Sequence, residues 1–422
     1  MTDSSAACVV PESPVLTTNA VNRTLSDLHA PTWFALLSAN IAARTVVFHP
    51  LNLAIARKRV TSEPRPPGLF AFIAAAYRGG ALHIPAGDGR NTYEMGAGGL
   101  RGSYRGLGAA LTCNLVGEIA YLFTLEALKE RMTKGAAARD GGDVAAEAFE
   151  GHSGYAAVAA MCGDVVSLLT VTPLVIVANR QMTAQYGLSA GNAYSGVRTT
   201  LTEVWRTFQP PRAAAGWAGA RLMHGLRGLY QGTSAGLLRI PASGCWWALY
   251  TKSKEELYVL CAPRLEEYRQ HHAAAAAAAA PFHQHEGAEH VSLLSSPVRL
   301  LLSGTDNPAI NGLASAIAST ATTLVFNPLA VIQTRQQTLP PAHVARLMGA
   351  PQRGGGRRRL WRLYASSFKK TVVVAQELVR VEGFRAFFKG ATANVGVAVF
   401  DGIIFSLIFE LTKLSSDLQY LS

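Results

Sequence analysis

Five ionisable side chains stand inside otherwise apolar stretches of this 422-residue chain: Arg44, Glu118, Asp164, Arg239 and Asp401. A charge in such surroundings is costly, and it persists where it pairs, binds a ligand or carries a proton. Of the five, Arg239 is the strongest candidate for ligand contact, because a guanidinium matches a carboxylate or phosphate through two parallel hydrogen bonds. The alternative for Arg239 is a structural pair with Asp164 or Asp401. Asp401 suits the cationic part of a ligand, or a proton, and Arg44 joins the candidate contacts. Trp246 and Trp247 are placed to stack on a ring or to face lipid, and both readings stand. No Cys-x-x-Cys and no His at metal-ligand spacing occur, the five cysteines are scattered, and nothing points to covalent catalysis, a metal or a cofactor. The alanine run 273–280, flanked by histidines, reads as low-complexity filler.

The elements that must hold these residues are long apolar helices. Hydrophobic residues make up 49% of the chain and charged residues 16%, against roughly a quarter in an ordinary soluble domain. The mean hydropathy is positive, +0.16. Ile310 to Ile332 runs for 23 residues without a formal charge, enough at about 1.5 Å per residue to cross a hydrocarbon core. Tyr155 to Ala178 carries one charge, Asp164, and similar stretches lead up to Pro50 and follow Gly106, Gly232 and Gly390. Six spans are expected. The first thirty residues have neither a secretory signal nor an Arg-rich transit peptide, so any organelle address is expected to be internal.

Two motifs recur three times in the same order. Pro-Leu, five residues and Arg closes an apolar stretch at Pro50 and Arg57, Pro173 and Arg180, and Pro328 and Arg335. Aromatic-x-Gly opens the next stretch at Gly106, Gly232 and Gly390. The motif prolines lie 123 and 155 residues apart, so each unit is two helices with a connector. The boundaries are an N-terminal extension 1–30, repeat one 31–134, a linker 135–152, repeat two 153–262, a low-complexity linker 263–303 and repeat three 304–418. Proline within a helix removes a ladder hydrogen bond, so Pro50, Pro173 and Pro328 are expected to bend the odd helices inward. Backbone N–H groups at helix starts favour anions, which suits Gly106, Gly196, Gly232 and Gly390 to lipid headgroups or simply to tight turns.

These motifs, with Tyr194-Ser195-Gly196 and the stretch HGLRGLYQGTSAGLLRIPASGCWWALYTKSK, resemble the mitochondrial carrier family over residues 31 to 415. The resemblance implies an all-α membrane protein of six helices in three two-helix repeats about a pseudo-threefold axis, not an enzyme. It implies alternating-access transport of a small-molecule substrate, cardiolipin at the helix-start glycines, and substrate contacts at Cys113, Arg239 and Val397. The ADP/ATP exchanger's run of arginines and methionines is absent, and PASGCWWALY also looks like the matching helix of branched-chain amino-acid carriers.

The family closes its matrix side with Pro-x-acid-x-x-base ion pairs, and here those positions hold Asn52 and Ile55, Val175 and Ala178, and Ala330 and Gln333. No ion-pair ring can form from them. An apolar barrier of Ile55, Val175 and Ala330, helped by a hydrogen bond from Asn52 or Gln333, is expected instead. The opposite, cytoplasmic ring keeps Glu126, Lys129, Lys254, Glu410 and Lys413. The resulting expectation is transport of an anionic or zwitterionic metabolite in the mitochondrial inner membrane. A peroxisome-type or outer-membrane location is the alternative, as is a non-transporting adaptor or receptor. The net charge of +12 is attributed to connectors such as Arg353 to Lys370 touching anionic lipid, with no nucleic-acid partner.

Overall fold

The structure is a computed structural model, and it describes residues 29–62, 66–79, 81–83, 92–94, 98–140, 153–184, 186, 196–208, 218–279, 307–339 and 359–415. The elements in chain order are α1 (Ala30–Val60), α2 (Leu69–Arg78), β1 (Ala81–His83), β2 (Thr92–Glu94), α3 (Gly99–Ser103), α4 (Leu107–Asp140), α5 (Ser153–Thr183) and α6 (Val197–Thr207). They continue as α7 (Ala218–Leu229), α8 (Thr233–Arg239), α9 (Pro241–Ala279), α10 (Pro308–Thr338), α11 (Arg359–Glu382), a 3-10 turn (Phe384–Phe388) and α12 (Ala391–Ser415). The protein is nearly all-helical. Its described strands, β1 and β2, form a three-residue antiparallel ribbon in the repeat-one connector, with Leu82 opposite Tyr93.

The long helices form a closed ring, each packed on its neighbour: α1 on α4, α4 on α5, α5 on α9, α9 on α10, α10 on α12, and α12 back on α1. Among the described residues five segments are long and apolar enough to cross a membrane: Ala30–Val60, Leu107–Leu128, Ala157–Thr183, Ala309–Thr338 and Phe384–Ile404. The expected sixth span is interrupted. Ile240 separates α8 from α9, where Pro241 has no N–H to continue the ladder and Ile240 N–H turns back to the Leu237 carbonyl at 3.2 Å. Val47 and Val325 remain 65% and 70% exposed on the spans, because the ring's outer surface faces hydrocarbon rather than protein.

Local sequence explains the helix ends. Asn307 caps α10 through its side-chain oxygen, which accepts from the N–H groups of Ala309 at 2.9 Å and Ile310 at 3.4 Å, with Pro308 at the first helical position. The odd helices α1, α5 and α10 each contain their motif proline and end with arginine in the last turn, where a cation suits the helix dipole. Two helices run past the expected boundaries: α4 continues to Asp140 and α9 through Pro263 to Ala279, so the start of each linker is helical. The N-terminal extension, the centre of the low-complexity linker and most of the Gly/Arg-rich stretch 340–360 lie outside the described residues.

Candidate functional site

The three motif arginines build one end of the bundle. Arg57 Nε donates to the Met182 carbonyl at 3.1 Å, Arg180 Nε to the Gln337 carbonyl at 3.1 Å, and Arg335 Nε to the Arg59 carbonyl at 2.8 Å. In each case the residue seven after a motif proline reaches the residue nine after the next repeat's proline, so the contact repeats cyclically around the ring. All three arginines are buried. The third repeat adds an ion cluster: Arg335 and Lys389 both pair with Glu382, and both also donate to the Thr61 carbonyl, at 3.0 and 2.7 Å.

The helix-start glycines belong to the same construction. Gly106, Gly232 and Gly390 have φ of 80°, 83° and 78°, a left-handed conformation that side chains rarely adopt. Each also packs on the next odd helix. A Cβ on Gly106 would lie 3.4 Å from the Ala178 carbonyl, one on Gly232 3.4 Å from the Gln333 carbonyl, and one on Gly390 3.5 Å from Ile55. Gly196 begins α6 in open space.

The expected apolar plug is therefore divided. Ile55 and Ala178 are buried under these glycines, whereas Val175, Ala330 and Gln333 line a cavity. Asn52 makes no hydrogen bond among the described residues.

That inner cavity, about 200 Å³, lies between the end of α1, α5, α8 with the following Ile240, and α10. Arg239, at the last position of α8, opens into it beside Asp164 and Arg59. Arg239 and Asp164 attract one another without forming an ion pair among the described residues, and Asp401 is engaged elsewhere. Arg59 and Arg239 against Asp164 leave a surplus positive charge on the wall. Arg59 escapes a reading of the sequence because it ends the basic run Ala-Arg-Lys-Arg, the ordinary mark of a helix leaving the membrane.

An outer cavity of about 320 Å³ is lined by Arg44, Glu118, Tyr121, Trp246, Trp247, Ser319, Asp401 and their neighbours. Arg44 bridges Glu118 and Asp401, the latter at 2.8 Å, and so joins α1, α4 and α12. Trp246 donates to Ser319 Oγ at 2.9 Å, and Trp247 to Tyr121 Oη at 2.9 Å. Both tryptophans thus face the interior of the ring rather than lipid.

Of the three contact positions expected by resemblance, Arg239 alone lines either cavity. Cys113 is buried and Val397 half-buried, and neither belongs to the two linings. In the opposite ring Glu126 is buried and Lys254 lies 5.9 Å from the centre of the Tyr258 ring, while the side chains of Lys129, Glu410 and Lys413 lie outside the described residues. Among the described residues no group of three His, Cys, Asp or Glu could hold a metal ion.

Outside the spans, burial pulls the Lys370 ammonium of α11 down to about 8, and the nearby Arg227 guanidinium adds to the effect. Burial likewise lowers Arg227.

Residues 304–416, the third repeat, match the family model described as mitochondrial carrier protein. No curated protein matches the chain.

Proposed function

We propose, for a chain whose third repeat matches the mitochondrial carrier family, that its solute is a small metabolite with at least one anionic group, held by Arg239 in the inner cavity. The family supplies the coarser statement, a multi-pass membrane protein with a solute-carrier role. The observation that carries the finer one is the Arg239 guanidinium, open to a cavity with surplus positive charge and without an ion pair among the described residues. Arg59 and Gln333 are placed to complete the anion's contacts.

Alternating access requires the arginine end to open. Five hydrogen bonds from charged donors cross to a carbonyl of the next repeat, one each from Arg57, Arg180 and Lys389 and two from Arg335, and at about 1.5–3 kcal/mol each they are together worth roughly 7 to 15 kcal/mol. That exceeds the about 5.5 kcal/mol needed to turn a two-state population from 1:99 to 99:1. Opening therefore needs a ligand and an opposing ring together, and the retained Glu126, Lys254 and their partners suit that opposing role. The family's usual setting, the mitochondrial inner membrane with cardiolipin at Gly106, Gly232 and Gly390, is the location we propose.

The test is a thermal-shift screen of the purified full-length protein against nucleotides, cofactors, carboxylates and amino acids, since only a ligand that binds the folded state raises its stability. At least one anionic compound is expected to raise the midpoint in wild type and to lose that effect in Arg239→Ala. A flat response across the panel would overturn the reading in favour of an adaptor.

A further inference from the structure

The outer cavity differs in chemistry from the inner one. Its charged wall holds two carboxylates and one guanidinium, and their exposures are unequal: the side chains of Glu118 and Asp401 are 33% and 40% exposed, that of Arg44 only 7%. The guanidinium lies behind, bonded to both acids, and the cavity meets carboxylate oxygen. One negative charge remains in excess.

The indole N–H groups and the Thr322 hydroxyl of the other walls are spent within the protein, Trp246 on Ser319, Trp247 on Tyr121 and Thr322 on the Ala318 carbonyl at 2.7 Å. The Ser319 and Tyr121 hydroxyls accept from the indoles and keep their own hydrogens to donate. Trp246 and Tyr250 stack at 5.1 Å, and Trp247 meets Trp246 edge to face. Carboxylate oxygens beside aromatic rings whose polar tips are engaged attract a cation with an apolar body.

We infer that the outer cavity, formed by Glu118, Asp401, Trp246 and Trp247, binds a primary ammonium group. Resting on the reading of Arg239 as the anion contact, this makes the solute bipolar, with its anionic group in the inner cavity and its ammonium in the outer. The two linings share α1 and α10, and a solute carrying both groups would reach along those helices from one cavity to the other. Arg44 then positions the two acids rather than touching the solute.

Three size-matched probes separate the two cavities in thermal-shift titrations of the full-length protein: 3-methylbutylamine, 4-methylpentanoate and 3-methylbutanol. The amine is expected to raise the wild-type midpoint, and the uncharged alcohol is not. Glu118→Gln and Asp401→Asn each keep an oxygen that accepts from Arg44, and each is expected to need at least tenfold more amine for the same shift. Protection by 4-methylpentanoate is expected to survive in both variants and to be lost in Arg239→Ala. Should either acid variant fold poorly, the wild-type contrast between amine and alcohol still decides. No amine protection, amine and alcohol acting alike, or amine protection unchanged in both acid variants would each overturn the ammonium site. A missing carboxylate effect beside a normal amine effect would instead count against the Arg239 reading and leave the outer site supported.

Discussion

The arginine end of the bundle and the cavities above it are built on opposite plans. At the end, one contact is repeated three times, from Arg57, Arg180 and Arg335 to the next odd helix, with a left-handed glycine beside each. In the cavities nothing repeats. Arg44, six residues before its motif proline, has Ser167 and Thr322 at the same register on the other odd helices, and Glu118 and Asp401 have no acid counterpart on α9. On the proposed function, threefold contact would serve a movement in which three repeats act alike, whereas a solute without threefold symmetry would require walls that differ. The absence of acid and base at the six positions read by resemblance as a ring fits this division. The bonds from Arg57 and Arg180 to backbone carbonyls need no acid, and Val175, Ala330 and Gln333 line the inner cavity instead.

Breaking the end should reveal where the symmetry stops. Arg335→Ala is expected to be the most damaging, at about 3 kcal/mol or more, because it removes a buried ion pair and leaves Glu382 to Lys389 alone. Arg57→Ala and Arg180→Ala each lose a charged hydrogen bond to a carbonyl, about 1.5–3 kcal/mol. Thermal midpoints in detergent read this order directly, and equal losses at all three positions would mean that Glu382 adds nothing. The smallest expected effect concerns pH. Folding lowers Lys370 to about 8, below its unfolded value, so the unfolded chain binds more protons between the two and stability rises as pH climbs through that window. Below about 8 both states are protonated and the full cost of burying the charge is present. A modest rise in midpoint from pH 7.5 to 9.5 is expected in wild type, reduced in Lys370→Met. Identical slopes would exclude Lys370 as its source.

Much of the fold was legible because its signals are local: apolar runs long enough to span, a proline motif at one end of each odd helix, a glycine at the start of each even one. Arg239 and the charge set around it were legible for the same reason, since an ionisable residue in an apolar run is conspicuous. Their partners were not. Arg44 meets Asp401 across 357 positions of sequence, and no spacing rule reaches that far. The arginine ring was hidden differently, because its acceptors are main-chain carbonyls that every residue carries. The glycines read as turn or lipid sites, and their close approach to the neighbouring odd helix depends on packing between repeats. The break at Ile240 follows from Pro241, but its consequence, Arg239 at a helix end facing a cavity, needed three dimensions.

The most direct test of the division between closing end and binding cavity is solute uptake by full-length protein reconstituted into liposomes, wild type against Arg239→Ala, over the same panel of anionic and zwitterionic metabolites. Saturable uptake of an anionic or zwitterionic compound by wild type, abolished in a variant that folds with an unchanged midpoint, is the predicted result. Uptake that persists in Arg239→Ala, or no uptake of any compound, would contradict it.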